Sequence, residues 1–210
     1  MKRVPETADF VIGSDGVRRC WWCGDDPLYV QYHDTEWGRP VSDDQCLFEK
    51  MCLEGFQAGL SWITILRKRD AFRSVFCNFD IRRVARFSRQ KVEELLLDAR
   101  IVRHRGKIES TINNAKRTMD LREEFGSLGN FFWRFEPEES SVLQRRDQMP
   151  ANRPESVALS KELKQRGWSF VGPTTCYSLM QAMGMVNDHL RDCPSWQIVD
   201  RARSSFARPR

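Results

Sequence analysis

The sequence predicts an all-α fold, and three observations carry that reading. Apolar residues recur at helical spacing from Pro27 onward, capping patterns precede several of these runs, and no set of alternating strands occurs in the 210 residues. Taken in order, Ser42-Asp43-Asp44-Gln45 has the spacing of a capping box ahead of apolar Leu47, Phe48, Met51 and Cys52. A second helix is expected to begin near Ser61 and to carry Ile63, Leu66, Phe72, Val75 and Phe76. Asp80 and Ser88 suit the starts of two further segments, because their side chains can accept from the free N–H groups of a first turn. A long helix with one polar face follows from about Arg103 to Phe125. The aromatic stretch Phe131 to Phe135 reads as core. Residues 136–155 contain Pro137, Pro150 and Pro154 and read as a loop, and helical spacing returns over Val157 to Gln165 and after Pro173.

Residues 1–18 lack a periodic apolar face and read as a flexible extension, 19–195 as one domain, and 196–210 as a basic tail. Arg201, Arg203, Arg208 and Arg210 lie in that tail among small residues, as expected of a solvated end. Lys and Arg exceed Asp and Glu by 34 to 29, a formal charge of +5 that permits binding to a polyanion without requiring it. No run approaches the roughly 18 apolar residues of a membrane span. The first ten residues are charged and broken by Pro5, unlike a secretion signal. A cytoplasmic monomer is the simplest expectation.

Two patterns carry chemistry. In Leu163-Lys-Gln-Arg-Gly167-Trp-Ser-Phe-Val-Gly172-Pro-Thr174-Thr175 a helix ends at a glycine, a short apolar turn follows, and a new helix starts at Pro173. The free N–H groups of such a start, aided by the helix dipole, suit a phosphate; an ordinary tight turn between packed helices would look the same. The second pattern concerns the seven cysteines. Cys46, Cys52, Cys77 and Cys176 lie inside helical patterns and read as core, whereas Cys20, Cys23 and Cys193 lie among polar residues. Cys20 and His33 are separated by twelve residues, and His189 and Cys193 by three, so the second pair can face one ion from a helical turn. Two thiolates and two imidazoles suit tetrahedral zinc with no open position, a structural role. Cys20-x-x-Cys23 can equally supply a ligand pair, so spacing leaves the set open.

Several segments together are similar to one family. Arg19-Cys20, Asp26-Pro-Leu-Tyr29, Tyr32-His-Asp34, Glu36-Trp-Gly38, Leu53-Glu-Gly55, Gln57-Ala-Gly-Leu-Ser-Trp-Ile63, Arg103-His-Arg-Gly-Lys-Ile108, Phe170-Val-Gly-Pro-Thr174 and Val186-Asn-Asp-His189 resemble, in order, the 3-methyladenine DNA glycosylase I (Tag) family. The resemblance implies a helix-hairpin-helix DNA glycosylase fold with a zinc site joining the N- and C-terminal segments. It also implies hydrolytic excision of 3-methyladenine from alkylated double-stranded DNA. It makes Cys20, His33, His189 and Cys193 the zinc ligands and sets Cys23 aside. Glu54 becomes the base-recognising, catalytic carboxylate, and Tyr32 and Trp62 the stacking pocket, with Trp22 and Trp37 as further walls. Gln57 and Leu60 would fill the space left in the duplex, and Gly167, Gly172 and Thr174 would grip the DNA backbone. Related glycosylases carry a catalytic aspartate where Asn187 stands; the Tag family is similar to this chain in lacking it. Phe56 and Arg100 depart from the family pattern, at positions expected at the pocket edge or surface.

The chemistry suits these residues. A base within a duplex must be flipped out before a protein site can reach it, at a cost of a few kcal/mol. Base–aromatic stacking returns about 1–3 kcal/mol per base. An N3-methylated adenine in DNA is cationic, so aromatic faces and a carboxylate attract it where ordinary adenine is not attracted. Two rival readings compete: a zinc-stabilised DNA-binding module without catalysis, and a zinc-dependent hydrolase or deaminase. The second is weakened because His33-Asp-Thr-Glu36 lacks the His-x-Glu spacing of nucleobase deaminases.

Overall fold

The computed structural model describes residues 8–139 and 141–209; the first seven residues of the extension and Arg210 of the tail lie outside them. Ten α-helices make up most of the described chain, preceded by a two-stranded ribbon. The helices are α1 (Pro27–Thr35), α2 (Asp44–Gln57), α3 (Trp62–Val75), α4 (Ile81–Ala85), α5 (Arg89–Leu97), α6 (Arg105–Phe125), α7 (Leu128–Trp133), α8 (Pro154–Gln165), α9 (Pro173–Ala182) and α10 (Pro194–Ser205). The mostly helical fold expected from the sequence is the one observed, with a few shifts in detail. Asp43, not Ser42, caps α2, its side chain accepting from the Cys46 N–H. Asp80 and Ser88 do cap α4 and α5, and Asp26 caps α1 by accepting from Leu28 and Tyr29.

Helix α2 lies at the centre, packed against α3, α6, α7 and α9. From Leu47 to Phe56 every residue except half-exposed Glu49 is buried, so this helix is enclosed on nearly all sides. That enclosure takes Lys50 and Glu54 into the interior with their apolar neighbours. The C-terminal carbonyls of α2 are met from α6, where the Lys107 ammonium donates to the carbonyls of Phe56 (2.8 Å) and Ala58 (2.6 Å). Phe56 packs on Phe72, with ring centres 4.5 Å apart, and is fully enclosed. It is therefore a core residue and not part of a pocket edge.

Among the described residues, parts of the expected extension and of the expected tail are ordered against the domain. Phe10–Ile12 pairs antiparallel with Arg18–Cys20, bringing part of the expected extension against the domain. Three-residue strands pairing so locally leave no alternation long enough to recognise. Where the sequence suggests a frayed basic tail, Pro194–Ser205 forms a helix whose Val199 is buried. Arg203 donates to the Glu136 carboxylate at 2.9 Å and the Met185 carbonyl at 3.0 Å, and Arg208 also reaches Glu136. Among the expected core cysteines, Cys52 and Cys176 are buried, but Cys46 is exposed and Cys77 half-exposed.

Helices α8 and α9 pack together across the turn of residues 166–172. Gly167 has φ +81°, a left-handed conformation that ends α8 and that glycine adopts without strain. The turn is held on α6: the Asn114 side chain donates to the Ser169 carbonyl and accepts from its N–H, both at 3.0 Å. Gly172 caps α9 ahead of Pro173 in its first turn, as the sequence predicts.

Candidate active site

The four residues expected to bind metal converge. Cys20 ends the ribbon, His33 is on the inward face of α1, and His189 and Cys193 come from the segment between α9 and α10. All four are buried, with their ligand atoms within 4.8 Å of one another. Sulfur-to-nitrogen separations are 3.7 Å (Cys20 to His189), 3.6 Å (Cys193 to His33) and 3.9 Å (Cys193 to His189). A tetrahedral ion with bonds of about 2.0–2.3 Å would set such separations near about 3.6 Å. The outer nitrogens are engaged as ligands require. His189 Nε2 donates to the Trp37 carbonyl (3.1 Å), leaving Nδ1 to face the sulfurs. His33 Nδ1 faces the Asp34 carboxylate (2.7 Å), leaving Nε2 inward. Burial pushes the His189 imidazole down, toward the neutral form that can ligate. Cys23 is buried but lies outside the cluster, its thiol directed to the Gly24 carbonyl. The donor set and its second contacts fit a metal ion.

This cluster shares a wall with an aromatic cleft of about 210 Å³. The cleft is lined by Trp22, Tyr32, Trp37, Glu54, Gln57 and Trp62 of the expected set, joined by Trp21, Tyr29, Met149, Ser178 and Gln181. Trp22 stands 5.1 Å from the His33 ring and 4.8 Å from Trp37, and Trp37 stands 4.6 Å from the His189 ring. Tyr32 and Trp62 lie 5.4 Å apart at a tilt, too close for a base to lie between them as they stand. They therefore offer two adjoining faces.

Glu54 is 6 % exposed. Burial raises its carboxyl above the ordinary range, and the charge of Lys50 works against that rise. Lys50, one turn earlier on α2, places Nζ 3.1 Å from Glu54 Oε1. The same ammonium donates to the Tyr32 hydroxyl and sits 3.4 Å from the centre of a Trp62 ring. Neither Lys50 nor the lining residues Ser178 and Gln181 follow from motif spacing, and Tyr29 lies in a family-like segment that the sequence does not assign to the pocket. A lysine four residues before a glutamate ordinarily reads as a solvated helix pair. Met149 belongs to the long polar loop, where no periodicity points inward.

The remaining expected residues lie apart or at the rim. Gln57, the last residue of α2, reaches the cleft, whereas Leu60 projects from the turn before α3 and is 43 % exposed. Gly167 is exposed on the connection between α8 and α9, Gly172 at its end is half-exposed, and Thr174 is exposed in the first turn of α9. Asp188 is fully engaged, accepting from Arg153, Tyr177 and Gln181. Asn187 is buried and donates to the Trp196 carbonyl at 3.0 Å. Arg100, at the surface, pairs with Asp98.

With this geometry in view, the sequence model of the methyladenine glycosylase family matches residues 22–196. The chain belongs to the methyladenine glycosylase family. It is 48% identical over 179 residues to Escherichia coli DNA-3-methyladenine glycosylase 1, covering 84% of this chain and 96% of that enzyme. To the DNA-3-methyladenine glycosylase of Haemophilus influenzae it is 44% identical, with the same coverage. A crystal structure of 3-methyladenine DNA glycosylase I superposes with a TM-score of 0.81 at 48% identity, covering 84% of this chain and 98% of the other. The Staphylococcus aureus enzyme, solved to explain 3-methyladenine recognition, gives 0.78 at 36% identity, covering 81% and 92%. The matched residues include Trp22, Tyr32, Trp37, Glu54 and Trp62 of the cleft and His33, His189 and Cys193 of the cluster, whereas Cys20 lies just before them. Among the described residues no helix is long and apolar enough to cross a membrane.

Proposed function

We propose that this methyladenine glycosylase family member excises 3-methyladenine from alkylated double-stranded DNA by hydrolysing its N-glycosidic bond. The observation that carries the reading is a buried carboxylate, Glu54, at the edge of a cleft walled by Trp22, Tyr32, Trp37 and Trp62. A flipped, cationic purine meets there both attractions it can use, π faces and a negative charge in a dry setting. The enzymes similar to this chain carry that activity in their names.

Glu54 accepts hydrogen bonds from the base edge and disfavours neutral adenine, which brings no charge to offset the desolvated carboxylate. Cleavage leaves the bonding electron pair on the purine nitrogen, so the base departs neutral while water adds to the sugar carbon and gives up a proton. Asp188 takes no part, because Arg153, Tyr177 and Gln181 saturate it. A leaving group already carrying positive charge needs electrostatic positioning more than a strong general acid.

Gln57 at the rim and exposed Leu60 beyond it suit the role of filling the vacated space in the duplex. The start of α9, with Gly172 and exposed Thr174, and the turn at Gly167 suit a DNA phosphate, in the manner of a helix-hairpin-helix. Cys20, His33, His189 and Cys193 would hold one structural zinc, joining the N-terminal ribbon to the segment after α9. That zinc would supply cross-linking and no reacting oxygen, since all four positions are filled by protein.

The test is release of free base. Incubated with methylated duplex DNA, the protein is expected to liberate 3-methyladenine in multiple turnovers. Tight DNA binding without base release would favour the rival reading of a non-catalytic module.

A further inference from the structure

The groups that would hold a cationic base already hold a cation of the protein's own. Lys50 Nζ lies 3.1 Å from Glu54 Oε1, 3.4 Å from the Trp62 ring centre and 4.7 Å from that of Tyr32, whose hydroxyl it also engages. It is 5 % exposed. Lys50 lines a second cavity of about 260 Å³, and Tyr32 and Trp62 are walls of both cavities. An internal ammonium and an incoming charged purine would thus share one carboxylate and one pair of rings. Two positive charges a few ångströms apart in a water-poor site repel strongly, and one negative charge cannot balance both.

We propose that Lys50 is a charge gate: its ammonium neutralises Glu54 while the cleft is empty, and the site accepts a cationic base only when Lys50 has given up its proton. This rests on the reading of the cleft as the 3-methyladenine site and adds a specificity residue to it. The gate favours a charged base twice over. A neutral adenine leaves Lys50 protonated and Glu54 already paired, so it gains nothing from the carboxylate. A cationic base replaces the charge that Lys50 loses. After cleavage the purine is neutral, Lys50 can take up a proton again, and the attraction holding the product disappears.

The surroundings suit such a proton loss near neutral pH. Burial brings the Lys50 amine down to about 8, with Glu54 and Glu36 opposing the fall and Arg69 assisting it. Tyr32 of α1, Arg39 after it, Cys46 and Glu49 of α2 and Arg73 of α3 line the same cavity as Lys50, and Tyr29 of α1 lies near Glu54. Burial holds both phenols well above the ordinary tyrosine range, so they stay protonated between pH 7 and 9. Arg69 is paired with Glu36, and Glu49 with Arg73.

The experiment is kcat/KM for 3-methyladenine release from methylated duplex DNA between pH 6.5 and 9.5, for the wild type and Lys50→Met. This ratio reports ionisations of the free enzyme. The wild type is expected to rise about tenfold from pH 7 to 9, with its midpoint near 8, as an amine of that affinity loses its proton. Lys50→Met should be flat over that interval, and at pH 7 should turn over near the wild-type plateau. A variant that keeps the wild-type limb, or an active wild type without one, overturns the gate. A wild type that releases no base would instead remove the underlying site assignment. Should Lys50→Met fail to fold, the lysine 13Cε resonances of the intact wild type give the answer. One is expected to titrate near pH 8, and none moving below pH 9.5 would refute the proposal.

Discussion

Glu54 and Lys50 show how one turn of helix changes meaning when it is buried. On an exposed helix such a pair contributes about 0.3–0.5 kcal/mol and little else. Enclosed on α2, each charge depends on the other, since burial raises the Glu54 carboxyl and lowers the Lys50 amine. Glu54→Gln keeps the side chain's size but removes the charge that attracts a cationic base. We expect it to fold normally and to lose about 100-fold or more in kcat, the scale seen when one preorganised electrostatic group is removed. Wild-type turnover in that variant, measured by base release, would take Glu54 out of the reaction. Trp62 makes a comparable case: Trp62→Ala should raise KM for methylated DNA through the loss of about 1–3 kcal/mol of stacking. Circular dichroism would show whether the fold is retained.

At the scale of elements, two docking contacts hold the walls in place. Gly184, just after α9, has φ +74°, and a Cβ there would lie 2.5 Å from the Pro40 nitrogen. The close approach sets the segment following α9 against residues 38–40, where Trp37 and His189 meet. Gly184→Ala should destabilise by more than about 1 kcal/mol, because both the backbone angle and the contact are incompatible with a side chain. For a chain of this size that corresponds to a Tm lower by about 2–4 °C or more. Helix α10 depends on Glu136, whose carboxyl is held below its ordinary range against burial by Arg208 and Arg203. A carboxyl lowered on folding stabilises above its unfolded value, about 4.3, and the benefit is lost as pH falls through the lower folded value. Glu136→Gln should therefore speed amide exchange over Pro194–Ser205 at pH 7. The gap from wild type should close as the solution is made acid.

For the whole molecule, the Cys2His2 cluster joins segments some 170 positions apart in sequence and abuts the rings of the cleft. Metal binding to such a site is coupled to folding. We expect about one zinc per chain by elemental analysis, lost in His189→Ala, together with a lower Tm and weakened excision as Trp22 and Trp37 lose their backing. A metal-free protein with unchanged Tm would contradict that role. The helical periods, the caps at Asp80 and Ser88 and the glycine-bounded turn were legible in the chain, because local backbone chemistry specifies them, whereas the Cys and His types suggested a metal but only the family resemblance chose Cys20 over Cys23. Motif resemblance added Glu54 and the rings. Less legible were the short ribbon and α10, whose order comes from contacts with distant segments: Asp9 accepts from Arg146, and Arg203 reaches Glu136. Lys50 could not be read at all, since nothing in a Lys-x-x-x-Glu spacing says which face of α2 meets water. By itself, then, the sequence determined the helices and the kinds of chemical group available, whereas tertiary structure alone decided which of those groups are desolvated. Desolvation turns an ordinary lysine and glutamate into a pair that can sense charge, and it depends on everything packed around α2.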